Sequence, residues 1–137
     1  MYSKTQVIGR LGRSPESRFL PNGTQVTSMS VASSRKWTTA SGEKKEITTW
    51  YKASAWRGLA EICNNFLDKG SKVFLEGHLD PDPETGGPKI FTRNDGSSGA
   101  NYEMTVTTVV FLDSKGDKKE YQQDDPFPDV DEDDLPF

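Results

Sequence analysis

The chain has 137 residues and a formal net charge of −4, which leaves room for one ordinary domain and a further segment. No apolar run is long enough to cross a membrane, and the amino-terminal residues lack the hydrophobic stretch of a signal peptide, so we expect a cytoplasmic protein. The single cysteine, Cys63, excludes an internal disulfide and a zinc site built from several thiolates. We expect it to be a small buried side chain.

The overall charge is divided unevenly along the chain. Residues 113–137 hold ten acidic and three basic side chains, a net charge of −7, whereas residues 1–112 hold fourteen basic and eleven acidic side chains, a net charge of +3. A basic body joined to an acidic tail is typical of proteins that contact nucleic acid at one end and solvent or a partner at the other. An incidental excess of basic residues in the body stays open as the alternative.

The first half of the body alternates as strands do. The predicted strands cover residues 4–11, 25–37 and 47–56. Pro21, Asn22 and Gly23 predict a turn in the long connection between the first two strands. A polar hairpin loop around Gly42 leads into the third strand, which is rich in aromatic and β-branched side chains.

The spacing of the apolar residues then changes to that of one helical face. This face consists of Leu59, Ile62, Cys63, Phe66 and Leu67. The pattern predicts one amphipathic helix over residues 58–69, and Gly70 lies where a helix commonly stops.

The second half of the body returns to strands. Residues 72–79 alternate, with Val73, Leu75 and Leu79 on one side. A proline- and glycine-rich loop, a short strand "KIFTR" and a turn-rich tip "NDGSSGAN" follow. The last predicted strand covers residues 102–112.

The predicted fold is all-β, a five-stranded Greek-key barrel of the OB-fold class with one helix between strands three and four. An open α+β sheet is possible, but no second helix is available to cover a sheet face, which favours the barrel. We expect residues 1–112 to form this OB-fold domain. Residues 113–137 contain too few apolar side chains to offset the entropy of ordering the backbone, so we expect a disordered acidic tail.

Residues suited to catalysis or metal binding are few. The single histidine, His78, has no thiol or carboxylate arranged for it, and we expect a surface or loop-base residue. Asp80 and Asp82 lie among prolines and glycines and are typical of turn residues rather than of a metal pair. No phosphate-binding glycine motif of the Walker type is present. We therefore expect a protein that is not an enzyme and needs no cofactor or metal.

The most informative stretch is "TTWYKASAW". Residues two apart on a strand share a face, so Trp50, Lys52 and Trp56 point one way, away from the small alanines between them. By the same parity, Trp37 shares a side with Arg35 on the preceding strand. Tryptophans among basic neighbours predict a surface on which nucleobases stack while the cations follow the phosphates. Ordinary packing of the tryptophans in the barrel or in a subunit interface is the alternative.

Five blocks of the sequence carry a resemblance: "VIGRLGRSPESRFLPNG", "SRKW", "TTWYKASAWRGLAE", "FLDKGSKVFLEGHL" and the acidic end that closes in Pro-Phe. Together they resemble the bacterial single-stranded DNA-binding protein family. The resemblance implies a homotetramer of OB-folds that binds single-stranded DNA without sequence preference during replication, recombination and repair. It also implies a cytoplasmic, nucleoid-associated protein that recruits other enzymes through its carboxyl-terminal tip.

The resemblance also implies which residues contact DNA. Trp37, Trp50 and Trp56 match the family's base-stacking aromatics, and Phe91 lies about where the family often has a tryptophan. The residues that match the family's basic DNA path are Arg18, Lys52 and Lys69. Charge and parity add Arg35, Arg57, Lys72, Lys89 and Arg93.

Two departures from the family pattern leave questions open. The loop "DPDPETGGPK" is acidic where the family has a basic arm, so its share of the binding is uncertain. Tyr51 occupies a position near the family's subunit contact where histidine is common, so the strength of the tetramer is open as well.

The carboxyl-terminal tip is the expected protein-interaction site. It consists of Asp131, Glu132, Asp133, Asp134, Leu135, Pro136 and Phe137. The terminal aromatic and carboxylate offer an apolar anchor and an anion, and the acids steer the tip toward basic pockets. A solubilising tail with an accidental end is the alternative. An OB-fold accessory that mainly docks proteins, and an RNA-directed role, also remain open from the sequence.

Overall fold

The computed structural model describes residues 1–113, so the predictions for residues 114–137 lie outside the described part of the chain. The described residues form seven strands and one helix. In chain order these are β1 (Thr5–Leu11), β2 (Glu16–Phe19), β3 (Gln25–Thr38), β4 (Lys44–Trp56), α1 (Gly58–Phe66), β5 (Lys72–Leu79), β6 (Lys89–Thr92) and β7 (Ser98–Phe111).

Five of the strands close into a barrel. β1 pairs with β5, β5 with β7, β4 with β3 and β3 with β1, all antiparallel, and a parallel pairing of β4 with β7 completes the ring. The helix α1 lies between barrel strands β4 and β5 in the chain. A closed barrel buries its inner face without further helices. The predicted OB-fold is therefore confirmed, and the open sheet is excluded.

Alternating strand positions fill the barrel. The inward residues of the five strands are Val7, Leu11, Met29, Val31, Ala53, Ala55, Val73, Leu75, Met104 and Val106, none more than 4% exposed. Ala53 is paired with Met29 on β3 and with Met104 on β7. The small side chain of Ala53 leaves space in the barrel interior that the longer side chains of Met29 and Met104 fill, as close packing requires.

The helix α1 covers part of the barrel. Ala60 and Cys63 are its buried residues, as expected for Cys63. The hydroxyl of Thr27 on β3 donates to the Ala60 carbonyl at 2.7 Å, which ties the helix to the sheet. Within residues 1–113 no helix has the length and apolar character of a membrane span.

The helix is shorter than predicted. It ends at Phe66 rather than at residue 69, and Gly70, at φ 87°, belongs to the turn that follows rather than to the helix end. The predicted apolar face is present, but Ile62 and Phe66 on it are 44% and 65% exposed, so only part of this face is buried. A helix of nine residues contacts the barrel along a narrow stripe only.

The strand boundaries differ from the prediction at the hairpins. The strand β2 lies inside the predicted connection, β4 begins at Lys44 rather than at residue 47, and β7 begins at Ser98, inside the predicted tip. These segments are mostly exposed and are paired through their backbones, so no alternation of burial reveals them. The turns themselves are as predicted, with Gly23 and Gly42 at φ 84°, where glycine is favoured.

Candidate nucleic-acid interface

The strand β4 presents two different faces. Ala53 and Ala55 point into the barrel and are buried, whereas Trp50, Lys52 and Trp56 occupy the alternate, outward positions. None of the three tryptophans in the chain belongs to the buried core, and Trp56 is 42% exposed. The structure thus confirms the predicted alternation and excludes a core role for the tryptophans. We call the outward surface around Trp50, Lys52 and Trp56 the β4 face.

Positive charge lies in the same cross-strand row as Trp56. Arg18 on β2 is paired with Val26 on β3, and Val26 is paired with Trp56. Paired residues share a face of the sheet, so Arg18 lies on the β4 face. Two strand spacings separate its backbone from that of Trp56, about 10 Å.

A second row leads to Trp50. Lys72 on β5 is paired with Arg10 on β1, Arg10 with Ala32 on β3, and Ala32 with Trp50. Lys72 therefore belongs to the Trp50 end of the same outer surface. The position of Lys72 relative to Trp50 depends on the registers of three strand pairs, so the sequence of any one strand does not reveal it.

Arg10 is a basic residue that the sequence analysis did not single out. Its guanidinium donates to the Gly70 carbonyl at 3.1 Å and lies 3.5 Å from the carboxylate of Asp113. Asp113 also accepts a hydrogen bond from the Lys72 amide at 2.8 Å. These contacts fasten the end of β7 to the barrel, so Asp113 is bonded to the folded body.

The indole of Trp50 rests on Gly12. A Cβ built on Gly12 would lie 2.5 Å from Cζ3 of Trp50, so the ring occupies space that only glycine leaves open. The Gly12 amide donates to the Ser30 carbonyl at 2.9 Å, which holds this glycine against β3. A fixed ring loses less conformational entropy when a base stacks on it.

Lys69 is placed near this ring by the turn after α1. The Gly70 amide donates to the Leu11 carbonyl at 2.8 Å, and the Leu11 amide donates to the Ser71 carbonyl at 3.0 Å. Because Leu11 directly precedes Gly12, the turn brings Lys69 to the same end of the barrel as Trp50.

The β6–β7 hairpin extends the β4 face. Phe91 is paired with Gly99, and Lys89 with Asn101, two residues before Glu103 on β7. The guanidinium of Arg93 lies 5.4 Å from the centre of the Phe91 ring. A Cβ on Gly99 would lie 2.5 Å from Cζ of Phe91, so the ring occupies space that this glycine leaves open beside β7.

An acidic residue lies between two of the predicted DNA-binding lysines. Glu103 is 3.6 Å from Nζ of Lys52 and 2.9 Å from Nζ of Lys89. The hydrogen bond to Glu103 is the main reason that the pKa of Lys89 is raised. Sequence reasoning missed Glu103 because its place opposite Lys52 follows from the parallel register of β4 and β7.

Trp37 lies on the other side of the β3–β4 hairpin. It shares a face with Arg35, as parity predicts, and the Arg35 guanidinium lies 5.5 Å from its ring centre. The register pairs Trp37 with Lys45, whereas Trp50 is paired with Ala32. The two rings therefore occupy opposite faces of one hairpin. A single strand of nucleic acid that contacts both rings must pass around the hairpin.

Arg57 has a strained backbone. Its φ of 58° and ψ of −126° make it the only non-glycine residue with positive φ among residues 1–113. The Arg57 amide donates to the Gln25 carbonyl at 2.8 Å, which holds this conformation. The strain places an exposed guanidinium directly after Trp56, at the edge of the β4 face.

Arg57→Gly should stabilise the protein by about 1 kcal/mol, because relief of roughly 1–3 kcal/mol of strain exceeds the entropy that glycine loses on folding. The same substitution should weaken DNA binding, because the guanidinium is lost. The free energy of unfolding in urea should be measured for Arg57→Gly and for Arg57→Ala. Alanine also lacks the charge but keeps the strain, so a difference in stability between the two variants reports the strain alone. Equal stability of the two variants would contradict the strain.

Within residues 1–113 few groups could support catalysis. Burial raises the pKa of the Cys63 thiol to about 11, so this group stays protonated at neutral pH. His78 is exposed, as predicted, but its Nε2 lies 3.5 Å from the Asp80 carboxylate, so the prediction that no carboxylate lies beside it is wrong. Asp82 accepts the amide of Glu84 in a turn, also as predicted. In the described part of the chain no group of three or more potential ligands could hold a metal ion.

Comparison with known proteins identifies the family. The model of the single-strand binding protein family matches residues 2–112. The chain belongs to this family. The resemblance noted in the sequence is thereby confirmed over the whole barrel.

Family relatives are moderately similar in sequence. The proteins named single-stranded DNA-binding protein from Neisseria meningitidis serogroups A and B are each 38% identical over 115 residues. The matched region is 84% of this chain and 62% of each relative, so the chain spans less than two thirds of their length.

Solved structures of the family share the fold. The Plasmodium falciparum SSB, in complex with single-stranded DNA, matches with a TM-score of 0.67 at 23% identity, over 82% of this chain and 97% of that one. A deletion mutant of the single-stranded DNA binding protein from Thermus aquaticus matches with a TM-score of 0.62 at 21% identity, over 82% and 51% of the two chains. At these identities the likeness supports the barrel itself.

Proposed function

We propose that this protein binds single-stranded DNA without sequence preference and protects it during replication, recombination and repair. The observation that carries the proposal is the β4 face, where Trp50 and Trp56 alternate with Lys52 and share a surface with Arg18. Family membership over residues 2–112 supports it. We propose that the protein is cytoplasmic and associates with the nucleoid.

Binding combines two kinds of contact. Bases stack on the aromatic rings, and every base offers a π-face, so stacking does not distinguish sequences. Trp50 and Trp56 are six residues apart on one strand, about 20 Å, so they contact separate bases. The proposed stacking residues are Trp37, Trp50, Trp56 and Phe91. The proposed phosphate contacts are Arg18, Arg35, Lys52, Arg57, Lys69, Lys72, Lys89 and Arg93.

We also propose a homotetramer. Ile8 on β1 is paired with Phe74 on β5, and Phe74 with Val110 on β7, which forms an apolar row on the outer side of these strands. Ile8 and Val110 are 55% and 45% exposed. A second copy of the chain presents the same row, as a two-fold contact requires. Sedimentation equilibrium should give four times the chain mass of 15.3 kDa, and the mass of a single chain would contradict this proposal.

For residues 131–137 we propose the recruitment of replication, recombination and repair proteins. Phe137 follows Leu135 and Pro136 after four consecutive acids, so this segment offers a partner an apolar anchor and a strongly negative approach. This part of the proposal rests on the sequence alone, because these residues lie outside the described part of the chain.

A competition assay tests the proposed function. Labelled oligo(dT) bound to the protein should be displaced by unlabelled single-stranded DNA of any composition and not by duplex DNA of equal length. Weak binding by a correctly folded protein would instead favour an accessory that mainly docks proteins, and preferential displacement by RNA would favour an RNA-directed role. Cleavage of the labelled strand in the presence of magnesium would contradict a non-catalytic protein.

A further inference from the structure

Two lysines of the interface converge on one carboxylate. Glu103 lies opposite Lys52 in the parallel pairing of β4 with β7 and is 3.6 Å from its ammonium group. The ammonium group of Lys89, from β6, lies 2.9 Å from the same carboxylate. The Glu103 side chain is 17% exposed, against 37% for Lys52 and 44% for Lys89. The carboxylate therefore lies beneath, and the two ammonium groups lie nearer to solvent.

A phosphate that reaches this part of the β4 face meets lysines that already have an anionic partner. It must share each ammonium group with Glu103 or displace it. The charges of Asp80 and Asp82 also act on Lys89, so the surroundings of this lysine are acidic. A carboxylate within about 4 Å of the binding cations repels a phosphate that binds to the same groups.

We propose that Glu103 is an internal competitor of the DNA phosphates, which holds Lys52 and Lys89 in the free protein and weakens their contacts with single-stranded DNA. The proposal rests on the proposed function. Glu103 is a positioning residue, since it acts through the two lysines.

The competition has a consequence for the dependence of binding on salt. When a phosphate takes a lysine, Glu103 loses its partner and attracts a cation from solution. Binding then releases fewer ions in total than the number of phosphates neutralised, so the plot of log affinity against log salt concentration is shallower. Without the carboxylate at position 103, the plot becomes steeper.

The test compares the full chain with its Glu103→Gln variant, which keeps the shape of the side chain and removes the charge. Oligo(dT) affinity should rise about fivefold at low salt, and the salt slope should steepen by at most about one, because one carboxylate takes up no more than about one cation. Glu84→Gln is the matched control, because it removes one negative charge from the exposed turn between β5 and β6. Equal tightening by both variants, or no tightening by Glu103→Gln, would overturn the proposal.

A double-mutant cycle shows whether the effect passes through the lysines. In a chain that carries Lys52→Met and Lys89→Met, the additional change Glu103→Gln should alter affinity no more than Glu84→Gln does. If Glu103→Gln still raises DNA affinity as much in the chain without the two lysines, the proposal is overturned. It is also overturned if Glu103→Gln alone weakens binding and leaves the salt slope unchanged, which is the result that a merely structural role predicts.

The cycle also separates this inference from the function on which it rests. If the wild-type chain shows no saturable binding of oligo(dT), the proposed function fails and the inference fails with it. If the wild-type chain binds and Glu103→Gln behaves as Glu84→Gln does, only the inference fails.

Discussion

Replacing Trp50 or Trp56 with alanine should weaken the binding of oligo(dT) by about 5- to 150-fold at each position, because the stacking of one base contributes roughly 1–3 kcal/mol. Both rings occupy outward positions on β4, and neither belongs to the core. Loss of the rings should therefore change binding far more than folding. The loss should persist at high salt, since stacking does not depend on counterion release. Fluorescence anisotropy of a labelled oligonucleotide measures the affinity.

Phe66→Ala is the matched control for these substitutions. Phe66 is 65% exposed and lies on α1, where it packs against Phe111 rather than beside the β4 face. We expect it to leave DNA affinity unchanged. Silent substitutions at both Trp50 and Trp56 would contradict the stacking assignment while leaving the fold intact.

Salt should have the second large effect. If each chain neutralises about five phosphates, affinity for oligo(dT) should fall about 100-fold between roughly 50 and 200 mM salt, because each phosphate contributes about −0.7 to the logarithmic slope.

Removal of residues 114–137 should tighten the binding of oligo(dT) at low salt and leave it nearly unchanged at high salt. The acidic tail then competes with DNA for the basic body only where screening is weak.

The truncation begins at Ser114 because Asp113 is bonded to Lys72 and Arg10. A chain of full length in which the tail acids are replaced by Asn and Gln is the appropriate control, since it keeps the length and removes the charge. We expect it to behave like the truncated chain. Equal affinity of all three proteins at low salt would exclude competition by the tail.

The barrel could be predicted from the sequence because its strands are buried on one side. The small Ala53 and Ala55 between the large Trp50 and Trp56 indicate both the strand and its two faces. The exposed hairpin segments could not be predicted, because backbone pairing with a neighbour holds them without a buried side. The helix was predicted too long because Leu67 continues the apolar spacing of the helix up to Gly70, whereas its backbone is already extended.

The interface was harder to predict than the fold. Alternation in one strand shows which residues share a face, but the register between strands decides which faces coincide. Trp37 and Trp50 are therefore not on one surface, although each has the expected neighbours within its own strand. The contact of Trp50 with Gly12 and that of Lys52 with Glu103 join residues distant in sequence, and no local pattern reveals them.

A titration of the intrinsic tryptophan fluorescence with oligo(dT), at low and high salt and with duplex DNA of equal length as control, tests the central claim most directly. We predict strong, saturable quenching by the single strand alone, reduced in the Trp50→Ala and Trp56→Ala variants. The saturation point would also give the number of nucleotides that each chain covers. No quenching, or an equal response to duplex DNA, would contradict the assignment of the β4 face as the single-stranded DNA interface.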